Sequence, residues 1–319
     1  MNYNYYLPEG SLIRSQENLS YISSLSGLER AMREDRILEA TAIMCDESFD
    51  LHVDLFGLRG IIPRSECVFV GEGEQIKDIA IITRVGKPVC FKVKAIERYG
   101  DTYRPILSRR DAQIECRSYY ISSLIAGDVI NASVTHLDTF GAFVDIGCGI
   151  PSLLSIDCIS VSRISHPSDR LYVGQNLNVA VKSNDLSSGR LFVTLKELLG
   201  TWEENACDFA VGQTVSGIVR SVESYGVFVE LRPNLAGLAE LKEEHPVLSG
   251  VKVGDRVSVY IKSIIPERLK IKLVLIDKSE HLSNREPLRY FIDASTTSHI
   301  EGWIYSPANC IKQIETIFG

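Results

Sequence analysis

The sequence predicts a mainly β fold: tandem five-stranded barrels joined by short helices, with an N-terminal helical brace and a small α+β C-terminal tail. Three observations lead to this prediction. Residues 126–156 align without a gap onto residues 211–241, so the chain contains an internal repeat. Within the repeat, apolar and polar residues alternate with the period of a β-strand. About five such short strands per copy, separated by turns, are typical of a small antiparallel barrel.

The repeat is clearest in one predicted strand. It reads Thr-Phe-Gly-Ala-Phe-Val-Asp-Ile at 139–146 and Ser-Tyr-Gly-Val-Phe-Val-Glu-Leu at 224–231. Successive side chains of a strand point to opposite faces, so each copy should place an aromatic and an acidic residue together on the wet outer face: Phe143 with Asp145, and Phe228 with Glu230. An exposed aromatic residue at the same position in two copies predicts a ligand-binding surface.

The first element, residues 1–35, is predicted to be helical from residue 15 onward. Ser26 and Glu29 have the spacing of a capping box. Apolar residues recur there at helical spacing, namely Leu25, Leu28 and Met32. We interpret this segment as an N-terminal brace.

The second element, residues 36–110, is predicted to be a degenerate copy of the barrel. His52 occupies the position of Phe143, and Asp50 replaces the turn glycine. Because one aromatic residue is lost, structural packing is favoured over ligand contact in this copy. We therefore interpret His52 as a surface histidine. The first strand of the copy is marked by alternating apolar residues: Leu38, Ala40 and Ala42.

Two helical linkers are predicted between the three barrels. Residues 111–125 precede the second barrel at 126–197, and residues 198–210 precede the third barrel at 211–277. Trp202 lies in the second linker, and we interpret it as a docking residue for the next barrel in preference to a platform for a base.

The tail, residues 278–319, departs from the repeat. Residues 288–292 and 300–305 could form the two strands of a hairpin, and residues 310–318 a short helix with Ile311, Ile314 and Phe318 on one face. So short a segment is too small to fold alone. We expect it to pack against a barrel, and a partner-binding module is the alternative.

The repeated segments resemble the RNA-binding domain family of ribosomal protein S-one, an oligonucleotide-binding (OB) barrel. Phe140-Gly141-Ala142-Phe143-Val144 and Tyr225-Gly226-Val227-Phe228-Val229 fit the second strand of that family closely. The third strands depart from it, because Ser155 and Glu240 stand where the family often has an RNA-contacting histidine. The resemblance implies tandem OB barrels that bind single-stranded RNA.

The resemblance also implies a set of contact residues. In the second barrel these are Phe140, Phe143, Asp185 and Arg190, and in the third barrel Tyr225, Phe228 and Arg268. The charge pattern adds Lys182, Lys262 and Lys270. Aromatic side chains would stack on bases while cations follow the phosphates. Phe140 and Tyr225 have an alternative role, which is to cover the rim of the barrel.

Composition and charge limit the possible functions. The chain is 45% hydrophobic and 24% charged, as in ordinary globular proteins. A net charge of −7 argues against a protein that coats duplex DNA through a basic surface. The charge is uneven, because residues 126–197 hold five Lys and Arg against seven Asp and Glu, whereas residues 211–276 hold nine against seven. We expect the third barrel to contribute more phosphate contacts.

No metal, cofactor or targeting signal is predicted. The eight cysteines include no Cys-x-x-Cys pair, so most are expected to be buried as small hydrophobic residues. His299 and Cys310 alone do not make a metal site. The first residues carry neither a basic start nor an apolar core, and no apolar run is long enough to span a membrane, so a cytoplasmic protein is expected.

We therefore predict a cytoplasmic, non-enzymatic protein that binds single-stranded RNA with weak sequence preference. No catalytic motif is found. The resemblance implies messenger RNA and the small ribosomal subunit as partners, in a bacterium, with no membrane and no small-molecule substrate. Two alternatives stay open: a protein-binding scaffold of degenerate barrels, and an RNA-gripping accessory subunit of a nuclease or of a ribosome-associated complex.

Overall fold

The computed structural model describes residues 6–71, 73–186, 189–240, 250–278 and 287–318. It contains three closed five-stranded barrels, which confirms the predicted fold class. Contacts divide the chain into two compact units. Unit 1 comprises residues 1–124, 131–133 and 145–151, and unit 2 comprises residues 125–130, 134–144 and 152–319.

Barrel one follows two short helices. The helices are α1 (Gln16–Ile22) and α2 (Leu25–Arg33). The strands are β1 (Leu38–Cys45), β2 (Leu51–Leu55), β3 (Leu58–Ile62), β4 (Pro88–Tyr99) and β5 (Thr102–Ser108). They close in the order β1-β2-β3-β5-β4, with β3 and β5 parallel. A further short helix, α3 (Asp78–Ile82), lies in the connection between β3 and β4.

Barrels two and three repeat this strand order. Barrel two consists of β6 (Val129–Asp138), β7 (Gly141–Asp145), β8 (Pro151–Ser155), β9 (Asn176–Asp185) and β10 (Arg190–Thr194). Barrel three consists of β11 (Thr214–Glu223), β12 (Gly226–Arg232), β13 (Leu235–Glu240), β14 (Arg256–Ile265) and β15 (Lys270–Lys278). In β7, Ala142 and Val144 are fully buried and Phe143 is half-buried, as predicted for these three residues.

The same glycine turn leads toward the fourth strand in all three barrels. The backbone N–H groups of Gly86, Gly174 and Gly254 donate to the first strand of their own barrel, over 2.7, 2.7 and 2.8 Å. Each glycine has a positive φ, between +78° and +92°, where a side chain would be strained. Each glycine follows a valine in the sequence, namely Val85, Val173 and Val253, and the positive φ explains why the second residue of this recurring pair is glycine.

The N-terminal helices pack on barrel one, as a brace would. Tyr21, Ile22 and Leu28 are buried in the same hydrophobic core as the strands of that barrel. The predicted capping box is wrong, because Ser24 is the N-cap of α2 and its hydroxyl accepts the N–H of Gly27 at 3.1 Å. Ser26 therefore lies inside the helix, where its side chain cannot cap the first turn.

A buried group of charged side chains joins the N-terminal segment to the rest of unit 1. The carboxylate of Glu9 accepts two hydrogen bonds from Arg109, at 2.6 and 3.0 Å. The backbone N–H of Glu9 donates to Asp145 at 2.7 Å, and Asp145 is only 3% exposed. Burial, and then the nearby Glu9 carboxylate, raises the pKa of Asp145. The prediction that Asp145 lies on a wet face is therefore wrong.

The equivalent acidic residue of barrel three is also buried. Glu230 is 5% exposed and accepts hydrogen bonds from Arg170, which follows β8 in the chain, and from Arg220 on β11, each with a shortest distance of 2.8 Å. Burial raises the pKa of Glu230, but the two arginines outweigh it and hold that pKa below its ordinary value. The predicted exposure of Glu230 is wrong for the same reason as that of Asp145: a preceding segment of the chain covers it.

Both predicted linkers are helical. The first contains α4 (Arg109–Glu115), continued by single turns at Cys116–Tyr120 and Ile121–Ser123. The second contains α5 (Trp202–Ala206), which Thr201 and Glu204 cap reciprocally. Trp202 is 2% exposed within the core of barrel three, so the prediction that it docks on that barrel is confirmed.

The tail packs on barrels two and three but is folded differently from the prediction. Its strands are β16 (Gly302–Ile304) and β17 (Glu315–Ile317), which pair antiparallel. The predicted strand at 288–292 and the predicted helix at 310–318 are therefore wrong. Trp303 and Tyr305 enter the core of barrel three, while Phe318 lies in a cluster with residues of barrel two.

The described residues contain no helix long and apolar enough to cross a membrane, and no group of three or more side chains suited to a metal ion. Six cysteines are buried, Cys45 is half-buried and Cys207 is exposed. His299 lies 2.8 Å from the carboxylate of Asp128 and has that residue as its partner.

Candidate nucleic-acid interface

Outward-facing residues form one row across the five strands of barrel three. Strand pairing places Phe228 opposite Ser221 on one side and Leu238 on the other. Leu238 pairs with Lys272, and Lys272 pairs with Ser263. We call these five residues the central row of barrel three.

The central row of barrel two is built in the same way. Phe192 pairs with Leu153 in parallel and with Ser183 in antiparallel fashion. Phe143 is the counterpart of Phe228, and His136 stacks on it with the ring centroids 6.2 Å apart. The row of barrel two therefore consists of His136, Phe143, Leu153, Phe192 and Ser183.

A second aromatic ring stands beside each row. Phe140 is 50% exposed and meets Phe143 edge to face, with ring centroids 5.8 Å apart. Tyr225 is 59% exposed and meets Phe228 in the same way at 6.2 Å. The structure thus brings the four predicted aromatic residues together in two matching pairs, each with one half-buried and one exposed ring.

The glycine between the two aromatic rings is required by the neighbouring strand. A Cβ atom on Gly141 would lie 2.5 Å from the carbonyl oxygen of Leu154, and one on Gly226 would lie 2.7 Å from that of Ala239. Real side chains essentially never approach a backbone oxygen so closely. The tight packing of the second strand on the third therefore fixes where both rings stand.

The predicted cations occupy matching positions at the end of each barrel. Arg190 begins β10 and Lys270 begins β15. Lys182 and Lys262 each follow the buried residue that pairs with the last strand, Val181 in barrel two and Ile261 in barrel three. Strand pairing makes Lys270, and not Arg268, the counterpart of Arg190. Arg268 lies instead in the turn Pro266–Arg268.

Three lysines of barrel three surround one carboxylate. Glu240 accepts a hydrogen bond from Lys272 at 3.1 Å. Lys272, and more weakly Lys262 and Lys270, lower the pKa of Glu240. This cluster is exposed to solvent and carries three positive charges against one negative charge.

Among the described residues of barrel two, the corresponding strand ends do not bring three lysines together around one carboxylate. The ammonium group of Lys182 lies 3.3 Å from the thiol of Cys158. Asp185 lies directly opposite Arg190 where β9 and β10 meet. The contact roles of these residues, like those of the other predicted cations, stay predictions.

Barrel one lacks the features of the other two rows. Its row consists of Met44, His52, Ile61, Ile106 and Ala95. None of these is a phenylalanine, a tyrosine or a lysine. His52 is also half-buried and bonded to the carboxylate of Asp46 at 2.9 Å, so it is less accessible than the surface histidine we predicted.

Among the ring-bearing residues of the central rows, sequence reasoning missed two, His136 and Phe192. Phe192 lies between Leu191 and Val193, which are 5% and 1% exposed, so its outward direction could have been inferred from strand alternation. His136 lies two residues after the buried Val134, so strand alternation alone would have predicted that it faces inward, whereas it is exposed. In barrel three the register shifts between Val219 and Ser221, the counterpart of His136, and no sequence pattern signals this shift.

Comparison with known proteins gives matches over part and over most of the chain. The S1 RNA binding domain model matches residues 123–196. Small ribosomal subunit protein bS1 of Staphylococcus haemolyticus is 31% identical over 274 residues, which is 83% of this chain and 67% of that protein. Its counterpart in Mycolicibacterium smegmatis is 30% identical over 293 residues, or 88% of this chain.

The chain spans 59% of the length of the Mycolicibacterium smegmatis protein. Among solved structures, a multidomain protein with nucleic acid binding domains from Streptococcus pneumoniae is similar over 78% of this chain and 76% of that one, with 15% identity and a TM-score of 0.24.

Proposed function

This chain belongs to the family of small ribosomal subunit protein bS1, and from that premise we propose that it binds single-stranded RNA with weak sequence preference. Messenger RNA is the proposed ligand and translation the proposed process. Barrels two and three carry the binding. The observation on which this proposal rests is that both barrels present an aromatic pair beside exposed cations, whereas barrel one presents neither in its row.

The geometry suits a flexible strand better than a duplex. A half-buried ring held against its neighbour offers one face for stacking, and each base stacked on an aromatic ring contributes about 1–3 kcal/mol. In a duplex the faces of the bases are already covered by their neighbours. A chain with net charge −7 also lacks the general positive field that duplex binding uses.

The same premise supports proposals about setting and partners. We propose that the protein is bacterial and cytoplasmic, that it contacts the small ribosomal subunit, and that it is not an enzyme. The matched relatives are named as ribosomal proteins, which supports the first three proposals. The fourth is supported by the absence of a catalytic motif from the sequence.

The decisive measurement is fluorescence anisotropy of a labelled single-stranded RNA, with a duplex of the same length beside it. Substituting Phe143 and Phe228 with Ala together should weaken single-strand binding by about 2–6 kcal/mol, because one stacked base is lost in each barrel. Phe56→Ala is the matched control, since Phe56 is 64% exposed but lies in the turn after β2. Unchanged affinity in the double variant would contradict the proposed site.

Barrel one favours a second, separate role in protein contact. Ile43, Met44 and Ile82 are each between 41% and 46% exposed and border a cavity near the first strand. If the RNA titration shows no binding even at low salt, a scaffold that binds protein through such apolar surfaces becomes the better account of the whole chain.

A further inference from the structure

We propose that the two RNA-binding barrels divide the work: barrel two carries an additional base-stacking subsite at Phe192, and barrel three carries a phosphate subsite at Lys272 in the same place. This inference rests on the proposed function and specifies how its two sites differ. It assigns binding roles to Phe192, Lys272 and His136.

Phe192 and Lys272 occupy one structural position. Phe192 pairs with Leu153 on the third strand and with Ser183 on the fourth. Lys272 pairs with Leu238, the counterpart of Leu153, and with Ser263. Both residues also lie beside a register shift, at Phe192/Val193 in barrel two and at Ile261/Ser263 in barrel three. An aromatic ring and an ammonium group therefore stand at the same point of two matching surfaces.

The central row of barrel two contains three rings, those of His136, Phe143 and Phe192, and no lysine, arginine or carboxylate. The ring of His136 is exposed and extends the surface of Phe143 by stacking on it. Phe192 is half-buried, so part of its side chain stays accessible. Ser155 adds no charge at the end of the third strand. Such a row favours successive bases on Phe143 and Phe192, because every base has a face that stacks.

The central row of barrel three has only one ring, Phe228. Ser221 replaces His136, and Lys272 replaces Phe192. The ammonium group of Lys272 joins Lys262 and Lys270 around Glu240. Lys262 and Lys270 have cationic counterparts in barrel two, namely Lys182 and Arg190. Within the two central rows, Lys272 is therefore the cation by which barrel three differs. It lies in the same row as Phe228, with Leu238 between them, a position that suits a phosphate near a stacked base.

The proposal predicts two separable effects on RNA binding. A phosphate contact makes the logarithm of the affinity fall with the logarithm of the salt concentration, by about 0.7 per contact for single strands. Stacking on an aromatic ring lowers the dissociation constant without adding to this slope. Exchanging the two residues should therefore move a salt-dependent contact from one barrel to the other.

The experiment uses the full chain and a labelled twelve-nucleotide oligouridylate RNA, titrated at four salt concentrations. Lys272→Phe should lower the magnitude of the slope by about 0.7, and Phe192→Lys should raise it by about 0.7. The double exchange should return the slope to that of the natural chain. Phe192→Leu keeps an apolar side chain but removes the ring, so it should weaken binding by about 5- to 150-fold at an unchanged slope.

The outcomes separate this inference from the proposed function. If the natural chain binds no RNA, the proposed function fails. If it binds but Lys272→Phe leaves the slope unchanged, or Phe192→Leu leaves the affinity unchanged, the function stands and the division of work is wrong. Lys272→Met removes the charge without adding a ring and provides a second test should Lys272→Phe fail to fold. Fluorescence of Trp202 and Trp303, both buried in barrel three, reports whether the Lys272 variants are folded.

Discussion

At the scale of single residues, Glu240 opposes the positive charge of barrel three. Its carboxylate accepts a hydrogen bond from Lys272 at 3.1 Å in a solvent-exposed pair, and pairs of this kind contribute little to stability. A phosphate must compete with it. We expect Glu240→Gln to tighten RNA binding by about 1.5- to 5-fold, because Lys272 is released and a like charge is removed from the path of the phosphates.

Anisotropy titration at low salt measures this effect, and high salt should reduce it. Glu203→Gln is the matched control, since Glu203 is an exposed residue of α5 outside the rows. An equal gain in both variants would mean that net charge alone is responsible, and that Glu240 has no special position.

Glu39 is predicted to make the stability of unit 1 depend on pH. It is fully buried, it accepts the N–H groups of Gly10 and Leu12 through one oxygen, and its other oxygen has no hydrogen-bond partner among the described residues. Burial raises the pKa of Glu39 from 4.5 to about 8. A carboxyl group with a raised pKa stabilises the fold fully below its unfolded pKa, and this contribution is lost as pH rises through the folded value.

The unfolding free energy of unit 1 should therefore decline between pH 4.5 and about pH 8, by at most about 1.4 kcal/mol per pH unit from this group. Glu39→Gln keeps an acceptor oxygen and cannot ionise, so it should flatten that part of the pH dependence. Hydrogen exchange of peptides from β1 and β4, compared between the two proteins at each pH, provides the measurement. Parallel profiles for the two proteins would exclude Glu39 as the cause.

Residue by residue, strand alternation predicted the direction of a side chain but not what lies above it. Phe143 and Phe228 face outward as predicted, because only their own strand decides this. Asp145 and Glu230 leave their strands on the same side but are covered by Glu9 and Arg170, residues far away in sequence. No local pattern records a contact of that range.

At the scale of elements, α5 is predicted to stabilise barrel three, because its residue Trp202 lies in the core of that barrel. Trp202 is 2% exposed, and its backbone N–H donates to Tyr305 of the tail at 3.0 Å. Trp202→Ala should lower the unfolding free energy by about 3–5 kcal/mol, which is the usual cost of emptying such a site in a core. Chemical denaturation followed by the remaining Trp303 fluorescence measures the loss.

RNA affinity provides the control for this variant. Below its unfolding transition, Trp202→Ala should bind RNA as the natural chain does, because Trp202 lies in the core and away from the central rows. Weakened binding by a protein that is still folded would instead favour a direct role of Trp202 in the interface.

Outside the repeat, the strand predicted at 288–292 and the helix predicted at 310–318 of the tail were wrong. In the tail, Ile311, Ile314 and Phe318 have helical spacing, yet residues 315–317 pair with Gly302–Ile304 as a strand. The weak helical preference of a short segment yields to such pairing and to the burial of Phe318. Arg268 lies in the turn Pro266–Arg268, two residues before Lys270, which strand pairing makes the counterpart of Arg190.

At the scale of the whole molecule, unit 2 joins two barrels and the tail through buried polar contacts. The side chain of Asn234 donates to the carbonyl oxygens of Lys196 and Gly200 and accepts the N–H of Val161. The hydroxyl of Tyr305 donates to the backbone oxygen of Asn234 at 2.6 Å. These hydrogen bonds are short and at least partly buried. Barrels two and three should therefore unfold together.

Glu230→Gln tests this cooperativity. It removes the buried carboxylate shared by Arg170 and Arg220 and leaves Arg220 with the more distant carboxylate of Asp169, at 3.8 Å, which should cost about 3–5 kcal/mol. Because the folded pKa of Glu230 is lowered, its contribution is present above about pH 4.5 and is lost as pH falls through the lowered value. The difference between the natural chain and Glu230→Gln should therefore shrink in acid.

Two probes report on the two barrels during the same unfolding experiment. Tryptophan fluorescence follows barrel three, and the reaction of Cys158, which is 2% exposed in barrel two, follows that barrel. A shared midpoint, shifted equally by Glu230→Gln, is the expected result. Separate midpoints for the two probes would show that these buried polar contacts do not couple the unfolding of the two barrels.

The buried acidic residue at the end of the second strand has a consequence for how such arrays arise. Asp145 and Glu230 hold the same place in their repeats, and each receives a segment from earlier in the chain. In barrel one the corresponding Asp54 is exposed. The acidic residue that binds the preceding segment thus belongs to the barrel repeat and not to the linker. A gene duplication that copies the barrel also copies this acidic residue. Each barrel added to the array therefore already carries one of the two groups that attach it to the preceding segment.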